Sequence, residues 1–292
     1  MVDVWIDTDV ALGARSLRAR DVDDAYAIAA LLRAPRVRVR GLSTVFGNSS
    51  AAEATRCARA LVAVAGAQLD VIAGAARARE DGAAAEAIAA LPDGTQLLAL
   101  GPLTNVAAAL ARDPTLAARI TLYVVGGNLS SWGRWPPWWP FEFNLSLDDA
   151  AARAVFKSGT RLRLYPLDRC PALGIGVAGL ARLARTSPLG RHLAAGSLRW
   201  LARAPLRYRR FRFPLWDLVP ALDACGLLPH HEERRRLRLV GRGRLVEDAG
   251  AAEIVCLRDL DGAAALDAFM QLMRYLPSGD PLSVPLPVLS MR

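Results

Sequence analysis

From residue 3 to residue 125 the chain alternates short apolar runs with alanine-rich stretches of helical period, which leaves it few possible folds. Strands are expected over 3–9, 37–46, 69–73, 96–100 and 119–125, with helices over 23–33, 50–65, 83–91 and 103–111. Strands joined through helices run parallel, and a parallel sheet must be covered on both faces. The predicted class is therefore α/β, a mostly parallel, Rossmann-like central sheet flanked by helices. A helix over 147–157, a strand over 161–167 and helices over 177–184, 188–202 and 215–224 continue the pattern. Runs at 237–240 and 253–257 read as a strand pair, and 263–273 is amphipathic. No linker divides two composition regimes, so one domain over 1–292 is expected, with a Pro-rich tail from about residue 277 (Pro277, Pro281, Pro285, Pro287).

The polar residues fall where such a sheet would use them. Asp7 and Asp9 follow the first strand, Gly47-Asn48 the second and Gly101-Pro102-Leu103-Thr104-Asn105 the fourth, with Gly126-Gly127-Asn128 and Asp168 further on. Carboxyl ends of parallel strands share one edge, so these residues converge on one acidic, amide-rich pocket. Asp7-Thr8-Asp9, followed by Asp21-Val22-Asp23-Asp24 at the mouth of a helix, crowds carboxylates at a cost that a cation would offset. The pattern points to a metal-dependent enzyme. Taken alone, Asp23-Asp24 would read as a helix cap and dipole partner, and Thr104-Asn105 as a cap for the next helix.

A formal charge of +9 raises the question of a polyanion partner. Lys157 is the only lysine, however, and abundant Arg with abundant Ala suggests GC-rich coding, a bias that spreads arginine over the whole surface. No nucleic-acid partner is expected. Cys57, Cys170, Cys225 and Cys256 form no C-x-x-C pair and read as ordinary buried thiols, and His192, His230 and His231 as surface or packing residues. Neither a signal peptide nor a membrane-spanning run is visible, so a cytoplasmic protein without a membrane partner is expected.

These residues resemble the inosine-uridine nucleoside hydrolase family, calcium enzymes that cut the N-glycosidic bond of ribonucleosides. Asp7-Thr8-Asp9 with Asp23-Asp24-Ala25 is similar to the family's amino-terminal cluster, Thr44-Val45-Phe46-Gly47-Asn48 to its second-strand signature, and Gly101 to Asn105 to its mid-chain turn; Glu142-Phe143-Asn144 and Trp216-Asp217 complete the set. The resemblance implies Ca²⁺ held by Asp9, Asp24, the Thr104 main-chain carbonyl and Asp217, with Asp23 as general base for the attacking water. It further implies that Asn48, Glu142 and Asn144 bind the ribose, that Asp7 braces the cluster, and that the assembly is a homodimer or homotetramer; Asn128 is a substitute, at a spacing that needs a gap, for an asparagine the family carries before Glu-Phe-Asn.

Three departures bear on substrate. Val10 to Arg20 replaces a short turn and adds Arg15, Arg18 and Arg20 at the pocket's edge, read as a solvated loop or a site for an anionic substituent. Trp216 stands where many members carry His, which removes a candidate general acid and resembles purine-specific members that stack the base there. An asparagine usual before Glu-Phe-Asn is replaced by a Trp- and Pro-rich stretch, 132–140, read equally as a lid or subunit contact and as a base-stacking wall. The Arg207 to Arg212 run reads as a solvated face from which Tyr208 can reach substrate. Hydrolysis of ribonucleosides, leaning purine, is the expected function. The alternative is a member that binds a riboside without cleaving it or acts on a modified one.

Overall fold

Period-two alternation in the first strand decides which way each layer faces. Strand β1 (Val2–Thr8) sends Val4 and Ile6 into one apolar cluster and Trp5 into another on the opposite face. The computed structural model of the protein describes residues 1–15, 19–129, 142–241 and 243–274. The strands that follow are β2 (Val37–Thr44), β3 (Val71–Ala73), β4 (Gln96–Ala99), β5 (Thr121–Val125), β6 (Arg161–Tyr165), β7 (Gly174–Gly176), β8 (Arg212–Pro214), β9 (His230–Leu239), β10 (Leu245–Glu247) and β11 (Glu253–Leu260). The helices are α1 (Asp23–Arg33), α2 (Ala51–Val64), α3 (Ala83–Ala89), α4 (Thr104–Arg112), α5 (Leu116–Arg119), α6 (Phe143–Leu147) and α7 (Asp149–Lys157). After them come α8 (Val177–Leu183), α9 (Pro188–Leu201), α10 (Ala204–Tyr208), α11 (Leu218–Ala224) and α12 (Gly262–Arg274).

Among the described residues nine strands form one sheet in the order β10-β9-β11-β6-β5-β4-β1-β2-β3, and β7 pairs with β8 in a separate two-stranded sheet. From β3 to β11 every neighbouring pair in the large sheet is parallel, while β9 and β10 are added antiparallel. Apolar residues of α1, α2, α8, α9, α11 and α12 pack on one face, and those of α3, α4, α5 and α7 on the other. Strand order reverses at β1, which lies between β4 and β2, and the carboxyl ends flanking that reversal are where a sheet of this kind places its ligand crevice. On β2, Gly41 leaves room for the Trp5 ring, where any Cβ would overlap the indole, and Trp5 Nε1 donates to Ser43 Oγ at 2.9 Å.

The main elements match the sequence expectation to within a few residues, with two informative exceptions. Strand β9 starts at His230, well before the expected 237, because His230-His231-Glu232-Glu233-Arg234-Arg235-Arg236 has no apolar alternation to reveal it. Its exposed length pairs across strands through charge, as in Arg234 with Glu253 at 2.8 Å, while Leu237 and Leu239 at its end join the apolar cluster. The short α6, α10, β7, β8 and β10 also escape pattern reading. The Pro-rich tail and the Trp-rich stretch at 132–140 lie outside the described residues.

Candidate active site

Alternation along β1 also divides the acidic residues between the layers. Thr8 faces α1, where its hydroxyl donates to Asp24 Oδ1 and accepts from the Val10 N–H at 3.2 Å. Asp7 faces the α4 layer, and its Oδ1 accepts from Ser43 Oγ at 2.7 Å and Asn105 Nδ2 at 2.8 Å. The other Asp7 oxygen has no hydrogen-bond partner among the described residues, and burial pushes this carboxyl up to about 6. Asn105 also donates to the Thr44 carbonyl at 3.0 Å and accepts from the Ala75 N–H at 2.9 Å, so one amide ties the ends of β1, β2 and β3 together.

Helices α1 and α11 pack side by side, and Asp23, Asp24 and Asp217 cluster at their N-terminal ends. One oxygen from each of these three buried carboxylates lies within 4.8 Å of the others. The Asp217 N–H donates to Asp23 Oδ2 at 3.3 Å. Burial raises the pKa of all three. Repulsion from Asp23 adds to the rise at Asp24, to about 7, while Asp217 is driven well above the usual carboxylate range by burial and by Asp23, Asp24 and Asp9. Buried like charges this close need protons or a cation, and the all-oxygen donor set suits a hard divalent ion.

Asp9 stands beside this trio, buried, with Oδ2 accepting from the Asn48 N–H at 2.6 Å. Gly101 approaches it so closely that a Cβ there would sit 3.3 Å from the Asp9 carboxyl carbon, and a Cβ on Gly47 would overlap Oδ2 itself. Gly47→Ala is therefore expected to displace Asp9 and weaken divalent-cation binding by at least about tenfold, an effect of the size found when groups supporting a metal ligand are lost. Calcium titration followed by thermal shift would check this; unchanged affinity would show that Asp9 tolerates the shift.

Several side chains expected to face substrate are engaged within the protein. The side chain of Asn48 is locked to the Asp21 main chain in both directions, donating through Nδ2 to its carbonyl at 3.0 Å and accepting from its N–H at 3.3 Å. Glu142 caps α6, accepting from the Asn144 N–H at 2.9 Å and the Leu145 N–H at 2.6 Å, and burial pushes it up to about 7. Asn144 Nδ2 donates to the Leu100 carbonyl at 2.8 Å and the Val125 carbonyl at 3.2 Å. Asn128 is held through its main chain, which bonds Gly243 and Leu245. Trp216 Nε1 donates to the Leu167 carbonyl at 3.1 Å, and its ring meets Tyr208 edge-on, with centroids 6.1 Å apart.

The expectation for Thr104 needs correcting. It opens α4, so its carbonyl points along the helix, away from the end that faces the crevice, and its hydroxyl donates to Asp148 Oδ2 at 2.8 Å. The main-chain oxygen just past the end of β4 belongs to Leu100, a residue that apolar patterning assigns to the strand and core. Nor do Thr104 and Asn105 cap α4, since no side chain makes a cap hydrogen bond there. The extra carboxylate Asp21 was visible in the sequence but given no role; it hydrogen-bonds Asp23.

Residues 4–235 match the profile of the family described as inosine-uridine preferring nucleoside hydrolase. The chain belongs to that family. A non-specific ribonucleoside hydrolase, RihC, of Escherichia coli is 31% identical over 197 residues, covering 56% of this chain and 61% of that protein; the RihC of Shigella sonnei matches to the same extent. The alignment thus spans about three-fifths of the length of these curated relatives. Among solved structures of the nucleoside hydrolase fold, a plant nucleoside hydrolase, PpNRh1, superposes with a TM-score of 0.80 at 20% identity, covering 94% of this chain and 99% of that one. A purine-preferring ribonucleoside hydrolase from Gardnerella vaginalis gives 0.80 at 19% identity, covering 93% and 98%.

Proposed function

We propose that this nucleoside hydrolase family member cleaves the N-glycosidic bond of ribonucleosides, preferring purines, with Ca²⁺ as cofactor. The observation that carries the reading is the Asp23, Asp24 and Asp217 oxygen cluster at the crevice end of the sheet. Asp9, Asp24 and Asp217 would hold the ion, together with a main-chain oxygen from the β4–α4 turn. When bound, calcium supplies Lewis acidity toward water and the ribose hydroxyls.

The protein's own groups do the rest. Asp23 takes a proton as water adds to C1′, and the C1′–N bond breaks with its electron pair passing to the base, which takes a proton from solvent as it leaves. The transition state carries positive charge at the sugar, and the buried carboxylates around it favour that charge. Trp216, fixed through Leu167 and Tyr208, would stack a purine base.

The inward engagement of Asn48, Glu142 and Asn144 favours a second reading, a riboside-binding member in which ribose recognition is reduced and turnover is lost. One assay separates the two. Purine, pyrimidine and modified ribonucleosides are incubated with calcium and with excess chelator, and free base is measured beside ligand-induced thermal shift. Calcium-dependent release, fastest for purines, is expected; a thermal shift without release would establish the binding reading.

A further inference from the structure

The basic residues are not spread as a coding bias would spread them. Between Asp168 and Asp217 lie 48 residues with ten arginines and no acidic residue, while the other 244 hold 27 basic against 28 acidic side chains. Folding keeps this charge together, because β7, α8, α9, α10 and β8 pack on one another as one excursion between β6 and α11. Elsewhere many arginines meet acids, as Arg38 with Asp3, Arg112 with Asp81 and Arg153 with Asp149, although others such as Arg36 and Arg77 form no ion pair among the described residues. Within the excursion Arg182 reaches Asp267 at 2.7 Å, but Arg203 and Arg210 are exposed and form no ion pair among the described residues. Burial and the neighbouring Arg210 depress the pKa of Arg212, as expected where positive charge is poorly compensated.

The same excursion exposes large apolar side chains: Leu206 is 84% exposed, Phe211 71%, Val177 59% and Leu198 58%. Helix α10 buries Ala204 and Tyr208, so Leu206 projects from its opposite side. Gly176 pairs with Arg212 across β7 and β8, which sets Val177 and Phe211 at the same end of that pair. An isologous contact with a second copy would bring two such arginine clusters face to face, so like charge disfavours it. Single-stranded nucleic acid would use stacking platforms, yet three of the four exposed apolar side chains are aliphatic. A surface offering both negative headgroups and an apolar interior fits both features.

We propose that the outer face of the β7–β8 excursion docks on an anionic lipid surface, with Leu206, Phe211, Val177 and Leu198 entering the interface and arginines such as Arg203 and Arg210 meeting headgroups. No helix among the described residues is long and apolar enough to cross a membrane, so the association is peripheral. Tyr208, on the inner side of α10, packs on Trp216 beside Asp217, so the docked face adjoins the crevice.

The test uses the whole chain with phosphatidylcholine vesicles, with and without phosphatidylglycerol, in a sedimentation assay. Pelleting only with phosphatidylglycerol, weakening with salt, is expected. Arg203→Glu with Arg210→Glu should lower binding by at least about tenfold, and Leu206→Ser with Phe211→Ser should also release the protein, both with unchanged circular dichroism. No pelleting with phosphatidylglycerol at low salt would overturn the proposal, as would binding that both double variants leave intact. A single-stranded oligonucleotide bound equally by wild type and the serine variant, with no vesicle binding, would make the face a nucleic-acid site instead.

Discussion

Replacing Asp217 with asparagine is expected to abolish base release and, in the calcium-free protein at pH 8, to raise the melting temperature. The two effects share a cause. Asp217 lies in a buried cluster whose members repel one another, so it costs stability until a cation arrives. Burial, then Asp23, lifts Asp24 to about 7 from an ordinary 3.8, and burial lifts Glu142 to about 7. Between pH 4 and 7 the folded chain therefore holds more protons than the unfolded one, and calcium-free stability falls as pH rises through that window. Each of these raised carboxyls therefore costs stability once it is ionised at pH 8 without a cation beside it.

Thermal melts at pH 5 and pH 8, with calcium and with chelator, check this directly. Wild type should lose several degrees on going to pH 8 with chelator and recover them with calcium. The Asp217→Asn protein should melt higher than wild type in chelator at pH 8, gain little from calcium, and release base at least about a hundredfold more slowly, beyond the loss usual for an outer partner of a metal ligand. A calcium response equal to wild type would remove Asp217 from the ligand set.

Asp23→Asn should behave differently. Loss of a positioned base costs about 10²–10⁴ in rate, so kcat should fall by that factor with little change in KM. Asp9, Asp24 and Asp217 remain, and the calcium-induced rise in melting temperature should persist. The geometry makes this a sharp comparison, because Asp23 is itself one of the three clustered carboxylates. Turnover at the wild-type rate would eliminate Asp23 as the base, and joint loss of turnover and calcium response would make it a ligand.

Much of the fold was legible because β1, β2, β4 and β5 carry their own apolar signal and are joined by helices of clear period. The carboxylates were legible for a related reason, since chain order alone sends strand-end residues to one edge. What escaped was set by main-chain direction and by partners remote in sequence. Nothing in Gly101-Pro102-Leu103-Thr104 says that Thr104 is already helical, and nothing around Asn48 says that Asp21, 27 residues away, will occupy its amide. Arginine count was read as uniform bias, although the acid-free interval from residue 169 to 216 stands in the sequence itself.

Among the described residues the large sheet ends in a three-residue strand on each side, β3 (Val71–Ala73) and β10 (Leu245–Glu247). Inside β10 stands the long β9, whose charged side chains pair with β10 and with the turn beyond it, as Arg235 does with Glu247 and Arg238 with Asp248. Borders this short give an incoming backbone few rungs to add to, and charge on the neighbouring strand penalises an out-of-register partner. Among the described residues the sheet therefore offers little for fibre-like growth by strand addition, which favours contacts between copies through helices and loops over extension of the sheet.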